Sequence, residues 1–183
     1  MNTKNTRGWL AGVALCAFAG SAQAAYIEYT TTDLGGGTWR YDYTVGQEAD
    51  QAFDIEEFAI FFDLGLHSNL SLFSSPLDWD GLVAQPDPWL PDGGFADWLA
   101  LGAGIVPGSS LGGFSVSFTW LGLGTPGPQA FDIIDPSSFE VLRSGVTTPV
   151  PEPGTLGLLG LGMAGVAWVR RRQKMTPAPD PAC

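Results

Sequence analysis

The sequence predicts an all-β protein, an antiparallel β-sandwich of immunoglobulin-like or jelly-roll-like form, followed by a single short C-terminal transmembrane helix. Three observations carry this expectation. Apolar and polar residues alternate with a period of two, most clearly where Trp39, Tyr41, Tyr43 and Val45 interleave with Arg40, Asp42 and Thr44. Glycine and proline, 25 and 14 residues among 183, punctuate the chain into short pieces. Residues 154–169 carry no charge and run directly into Arg170, Arg171 and Arg172.

The first element is a targeting segment, residues 1–24. Lys4 and Arg7 form a basic start, Trp9 to Gly20 is an uncharged apolar run too short to span a membrane, and Ala22 and Ala24 complete an Ala-x-Ala cleavage site. Such a signal peptide implies passage through a Sec translocon and removal by signal peptidase, so that the mature chain starts at Ala25. Of the two cysteines, Cys16 falls within this segment and Cys183 is the last residue, so no disulfide is expected in the folded part.

The sandwich domain is expected over residues 25–146. Besides the run at Trp39, Phe114, Val116, Phe118 and Trp120 alternate with Ser115, Ser117 and Thr119. The run from Phe53 to Phe62 begins in the same way and slips by one at Glu56-Glu57, which reads as a bulge. Weaker strands are expected at Tyr26 to Thr31, Gln129 to Ile134 and Phe139 to Leu142. Turn signals at Gly35-Gly36-Gly37, Pro107-Gly108, Gly112-Gly113 and Asp135-Pro136 separate them. Residues 69–104, with Pro76, Pro86, Pro88 and Pro91 among aspartates and tryptophans, read as a long crossover or functional loop. Residues 147–153 read as a linker.

Charge narrows the partners. Between Ala25 and Val150 only Arg40 and Arg143 are basic, against seventeen acids, a net charge of −15. A surface of that sign repels nucleic acid and anionic headgroups and attracts cations.

Few catalytic constellations have their material here. The single histidine, His67, has no second histidine or folded cysteine for zinc or thiol chemistry, and it reads as an exposed loop residue. Carboxylates are plentiful, and Asp78, Asp80, Asp87, Asp92 and Asp97 contain pairs that glycoside hydrolysis would need. Asp78-Trp79-Asp80-Gly81 resembles the start of a calcium loop without the remaining spaced ligands of an EF-hand. Asp78, Asp80 and Asp92 are therefore the candidate Ca²⁺ ligands, and no other cofactor is indicated. Trp79, Trp89 and Trp98 lie in the same stretch; exposed, they would stack on sugars, whereas buried they would cap the core.

The C-terminus has three consecutive parts: Pro151-Glu152-Pro153, the charge-free residues 154–169, and the arginines. As a helix, residues 154–169 would measure about 24 Å, somewhat short of a hydrocarbon core of about 30 Å. Basic residues stay in the cytoplasm, which places 170–183 there as a tail and the domain on the far side. The prolines hold Glu152 in extended backbone that cannot continue the helix.

Pro151-Glu152-Pro153, the Gly- and Leu-rich span and the Arg cluster together resemble the PEP-CTERM sorting domain of exported proteins of Gram-negative bacteria. The resemblance covers about 25 residues. It implies recognition by an exosortase, a membrane-embedded cysteine protease or transpeptidase, in bacteria that also make exopolysaccharide. The chain departs from the family in continuing from Gln173 to Cys183 beyond the arginines. The resulting expectation is an inner-membrane-anchored precursor delivered to the cell surface or extracellular matrix, with a non-enzymatic binding or structural role linked to exopolysaccharide. A small polysaccharide-active enzyme using the loop carboxylates is the alternative.

Overall fold

A computed structural model describes residues 25–89, 93–150 and 161–163. Within them alternation decides the strands: β1 (Ala25–Gly35), β2 (Thr38–Gln47), β3 (Glu57–Phe62), β4 (His67–Ser74), β5 (Trp79–Ala84), β6 (Gly94–Ala100), β7 (Ser110–Trp120), β8 (Ala130–Ile134), β9 (Val141–Val146) and the two-residue β10 (Thr148–Pro149). They form two five-stranded sheets, ordered β10-β1-β2-β7-β4 and β5-β6-β3-β8-β9. Every pairing is antiparallel except that of β10 alongside β1, so the first sheet is mixed.

The buried apolar residues of β1 to β8 form one core. Phe114 of β7 meets Phe58 of β3 at 4.9 Å between ring centroids, Trp79 of β5 at 5.1 Å and Trp98 of β6 at 5.6 Å, so one ring of the first sheet packs on three of the second. Edge-to-face contacts of this kind add to area burial, and emptying such a site costs about 3–5 kcal/mol. Gly81 makes room for Trp98: a Cβ there would lie 2.8 Å from its indole ring. At the β1–β2 turn, Gly36 and Gly37 adopt φ of 63° and 81°, where a side chain would be strained.

Several expectations change. Residues 69–104 are not a loop: they hold most of β4 and all of β5 and β6. Phe95 and Leu99 on the outer face of β6 hide its alternation with Ala96 and Trp98 on the inner one, and Pro76, Pro86 and Pro88 fall in the connections. The expected bulge at Glu56-Glu57 is where β3 begins; before it, only Ile55 pairs, with Ile105. Phe139 sits in a turn with φ of 60°, so β9 starts two residues later than expected. The segment expected as linker is partly ordered against the first sheet, with Thr147 buried and β10 hydrogen-bonded to β1. Among the described residues no helix is long and apolar enough to cross a membrane; of the expected span, only Leu161, Gly162 and Met163 are described, and they are helical.

Candidate functional site

The sorting segment leaves the domain from a fixed point. Thr147 Oγ1 accepts from the Gln129 backbone N–H at 2.9 Å, and the Thr147 N–H donates to the Gln129 carbonyl at 2.8 Å. Thr148 and Pro149 lie opposite Glu28 and Tyr29, and Val150 donates to the Tyr29 carbonyl at 3.0 Å. Gln129 itself accepts from the Tyr43 hydroxyl at 3.1 Å, which ties this stem to the core of β2. A hollow of about 220 Å³, lined by Tyr29, Thr31, Pro126, Pro149 and Val150 among others, lies beside it. Pro151, Glu152, Pro153 and Arg170 to Arg172 fall outside the described residues, as do Ala22, Ala24 and Asp92.

The outer face of the second sheet is the other concentration of chemistry. Phe61 and Phe95 are cross-strand partners there; one row further along, Asp97 and Asp132 flank Ala59; in the next, Glu57 lies between Leu99 and Ile134. Burial, and then the nearby charge of Glu57, pushes the Asp97 carboxyl up to about 6. Glu57 is raised too, by burial first and Asp135 second. Carboxylates that accept hydroxyl hydrogen bonds beside the exposed Phe61 and the half-buried Phe95 suit the polar and apolar faces of a sugar. Asp97 was among the acids singled out in the sequence. Glu57 was not, because the slip at Glu56-Glu57 disguised its place on the outer face.

The three tryptophans do not form one platform. Trp98 is 0% and Trp79 7% exposed, both in the core, while Trp89 is 92% exposed in the β5–β6 connection. Inward positions of β5 and β6 claim the first two, since rings of that size bury whenever a strand face allows it. Asp78 and Asp80 are exposed at the start of β5, and Asp87 accepts from the Trp89 N–H at 2.8 Å. No three His, Cys, Asp or Glu side chains among the described residues converge to hold a metal ion. A groove of about 530 Å³ between the β2–β3 and β8–β9 connections is lined by Asp54, Glu56, Asp135 and Ser137 together with Phe53 and Leu142.

His67, expected in an exposed loop, is 5% exposed in β4. Its ring lies 5.0 Å from those of Phe118 and Trp120 and 5.2 Å from that of Phe62, and neither ring nitrogen has a hydrogen-bond partner. Burial lowers its pKa, with the backbone and charge of Asp63 acting in the opposite direction. A neutral aromatic ring filling core space is the chemistry of this site.

The PEP-CTERM protein-sorting motif matches residues 149–172, so the chain carries that signal and the match starts inside β10. No curated protein matches the chain. Among solved structures, a GH20 exo β-N-acetylglucosaminidase from Vibrio harveyi in complex with N-acetylglucosamine aligns at 11% identity and TM-score 0.37, over 70% of this chain and 18% of that one. The family 3b carbohydrate-binding module from the biomass sensoring system of Clostridium clariflavum aligns at 11% identity and TM-score 0.39, over 62% and 93%. The chitin-binding domain of Chi18aC from Streptomyces coelicolor aligns at 18% identity and TM-score 0.38, over 59% and 90%. The chain thus spans about a fifth of the length of the first of these, and likeness at such scores carries no functional argument.

Proposed function

We propose that this chain is an exported, non-enzymatic surface or matrix protein, anchored in the inner membrane by its tail until an exosortase removes it. In this reading residues 1–24 are the signal peptide, residues 25 to about 150 fold as a β-sandwich, residues 154–169 span the membrane and 170–183 stay in the cytoplasm. The observation that carries it is the sorting motif itself, which begins on a strand hydrogen-bonded to the folded domain. An enzyme would need its recognition segment accessible; prolines 151 and 153 keep it out of the helix and Val150 keeps it close to the domain.

Replacing Pro151, Glu152 and Pro153 together by alanine lets helix continue outward, while the apolar run and the arginines remain to insert and orient it. The variant should accumulate in the inner membrane at full length and retain Cys183, whereas the wild type should lose it. A thiol-reactive tag on denatured protein distinguishes the two. Wild type recovered intact with Cys183, in a host that has an exosortase, would show the tail to be an anchor only.

The polysaccharide part of the reading rests on Phe61 and Phe95 beside Asp97, Asp132 and Glu57 on the outer face of the second sheet. A screen of residues 25–150 against the host's own exopolysaccharide tests it. Binding should fall when Phe61 and Phe95 are changed to alanine, and release of reducing ends would favour the small glycan-active enzyme instead.

A further inference from the structure

The sorting tail leaves toward one particular end of the domain. Because β10 runs parallel to β1 with Pro149 opposite Tyr29, the chain departs in the direction of the β1–β2 turn. Gly154, where the expected span begins, is five residue steps beyond Pro149, and Leu34 is five steps beyond Tyr29. Either stretch covers about 17 Å of extended chain. The start of the span therefore has the reach to lie level with the turn and not far beyond it.

That end is lined with exposed apolar side chains. The β1–β2, β3–β4 and β7–β8 connections meet there: the Trp120 N–H donates to the Gly37 carbonyl at 2.9 Å, and the Leu121 N–H to the Leu66 carbonyl at 2.9 Å. The β5–β6 connection joins them, since a Cβ on Gly93 would lie 2.6 Å from the Phe62 carbonyl oxygen. Leu34, Leu64, Leu66 and Leu121 are exposed, and Leu123 at 98% and Trp89 at 92% are almost wholly so. The opposite end also exposes Leu77, Leu101, Val106 and Phe139, so the two ends differ in charge rather than in apolarity: among the described residues its connections hold Glu48, Asp50, Asp54, Glu56, Asp78, Asp135 and Glu140, against Asp33, Asp63 and Asp87 at this one.

From this juxtaposition we infer that, in the anchored precursor, the end bearing Leu34, Leu121, Leu123 and Trp89 rests in the interfacial layer of the membrane that holds the tail. The inference rests on the anchored-precursor reading above. Leucines on short loops and a tryptophan are the residues that partition into a headgroup layer, and the acidic end is turned away from the negative surface. The tail supplies a high local concentration of bilayer, so contacts too weak to recruit free protein suffice once it is anchored. Resting there would hold residues 150–153 at the membrane surface, where a membrane-embedded enzyme reaches them.

The test uses residues 25–183 with Cys183→Ser, reconstituted in vesicles of phosphatidylethanolamine and phosphatidylglycerol. A single cysteine is placed at Leu123→Cys or, as a matched control, at Leu77→Cys, which is 89% exposed in the β4–β5 connection away from this end. Each carries a polarity-sensitive fluorophore, and quenching by lipids spin-labelled near the headgroup is measured. Position 123 should be blue-shifted and quenched at least about twofold more than position 77, as for a side chain seated about 5–10 Å into the interface. Vesicle-attached protein with equal quenching at both positions overturns this inference alone. A blue shift at 123 without quenching means a protein contact there and also overturns it. Protein that fails to float with the vesicles overturns the anchored reading and this inference together.

Discussion

Asp97→Asn should stabilise the domain at neutral pH and flatten its dependence on acid. Asp97 lies on the outer face of β6, flanked by strands on both sides and near Glu57, and its carboxyl is pushed up to about 6 by burial first and that charge second. A carboxyl raised in the folded state keeps a proton that the unfolded chain has already released. Its stabilising contribution is therefore complete below the ordinary aspartate pKa and is lost as pH rises through about 6. The full displacement from 3.8 to about 6 corresponds to about 3 kcal/mol. Asp97 is only half-buried, and solvent screening reduces this to about 1 kcal/mol, or about 4 °C in melting temperature for a domain of this size. The assay is thermal and urea unfolding of residues 25–150 from pH 4 to 8, comparing wild type with Asp97→Asn. The two curves should coincide near pH 4 and separate up to pH 7, with the variant more stable. Parallel curves, or a variant less stable at pH 7, would show that the carboxylate is well solvated and the argument wrong.

His67 should act with the opposite sign. Its pKa is lowered in the folded state, so stability is complete above about pH 6.5 and falls as the unfolded chain takes up a proton below it; His67→Leu, of similar volume, should remove that acid loss and gain about 1–2 kcal/mol by deleting two unpaired nitrogens. Thr147→Ala leaves the buried Gln129 N–H without its acceptor and should cost about 2 kcal/mol in urea unfolding. Trp98→Ala should cost about 3–5 kcal/mol, whereas Trp89→Ala should leave unfolding unchanged within about 0.5 kcal/mol.

The strands legible in the sequence were those with one wet face. β2 and β7 show Tyr41, Tyr43, Phe114 and Val116 inward against Arg40, Asp42, Ser115 and Ser117 outward, and their period of two survives any reading. β5 and β6 were missed because Leu82, Phe95 and Leu99 put apolar residues on the outer face as well. The same excess makes that face a candidate for binding. Alternation reports the contrast between faces, so a strand with two apolar faces loses the signal. His67 failed for a different reason. A histidine between Leu66 and Ser68 has no local pattern that reveals the four aromatic rings gathered around it from β2, β3 and β7. The sorting motif was legible because its parts are contiguous and need no tertiary contact to be recognised.

The stem joins these two kinds of information. β10 follows the last strand of the second sheet, yet it pairs with β1, the first strand of the domain, at the edge of the first sheet. The contact closes a loop of about 120 residues, and closure entropy grows only logarithmically with that length. What holds it is the partner: Tyr29 accepts from Val150 only when β1 is itself paired with β2, and Gln129 grips Thr147 while bonded to Tyr43 of the core. An incompletely folded domain lacks those partners, and the residues before Pro151 are then free to move away from the first sheet. On this argument the distance between the sorting motif and the domain depends on completed folding, and Thr147→Ala perturbs it without touching the motif. If that distance matters to processing, Thr147→Ala should slow the loss of Cys183 in cells at temperatures where the domain remains folded. Processing at the wild-type rate would show that the enzyme reads the motif alone.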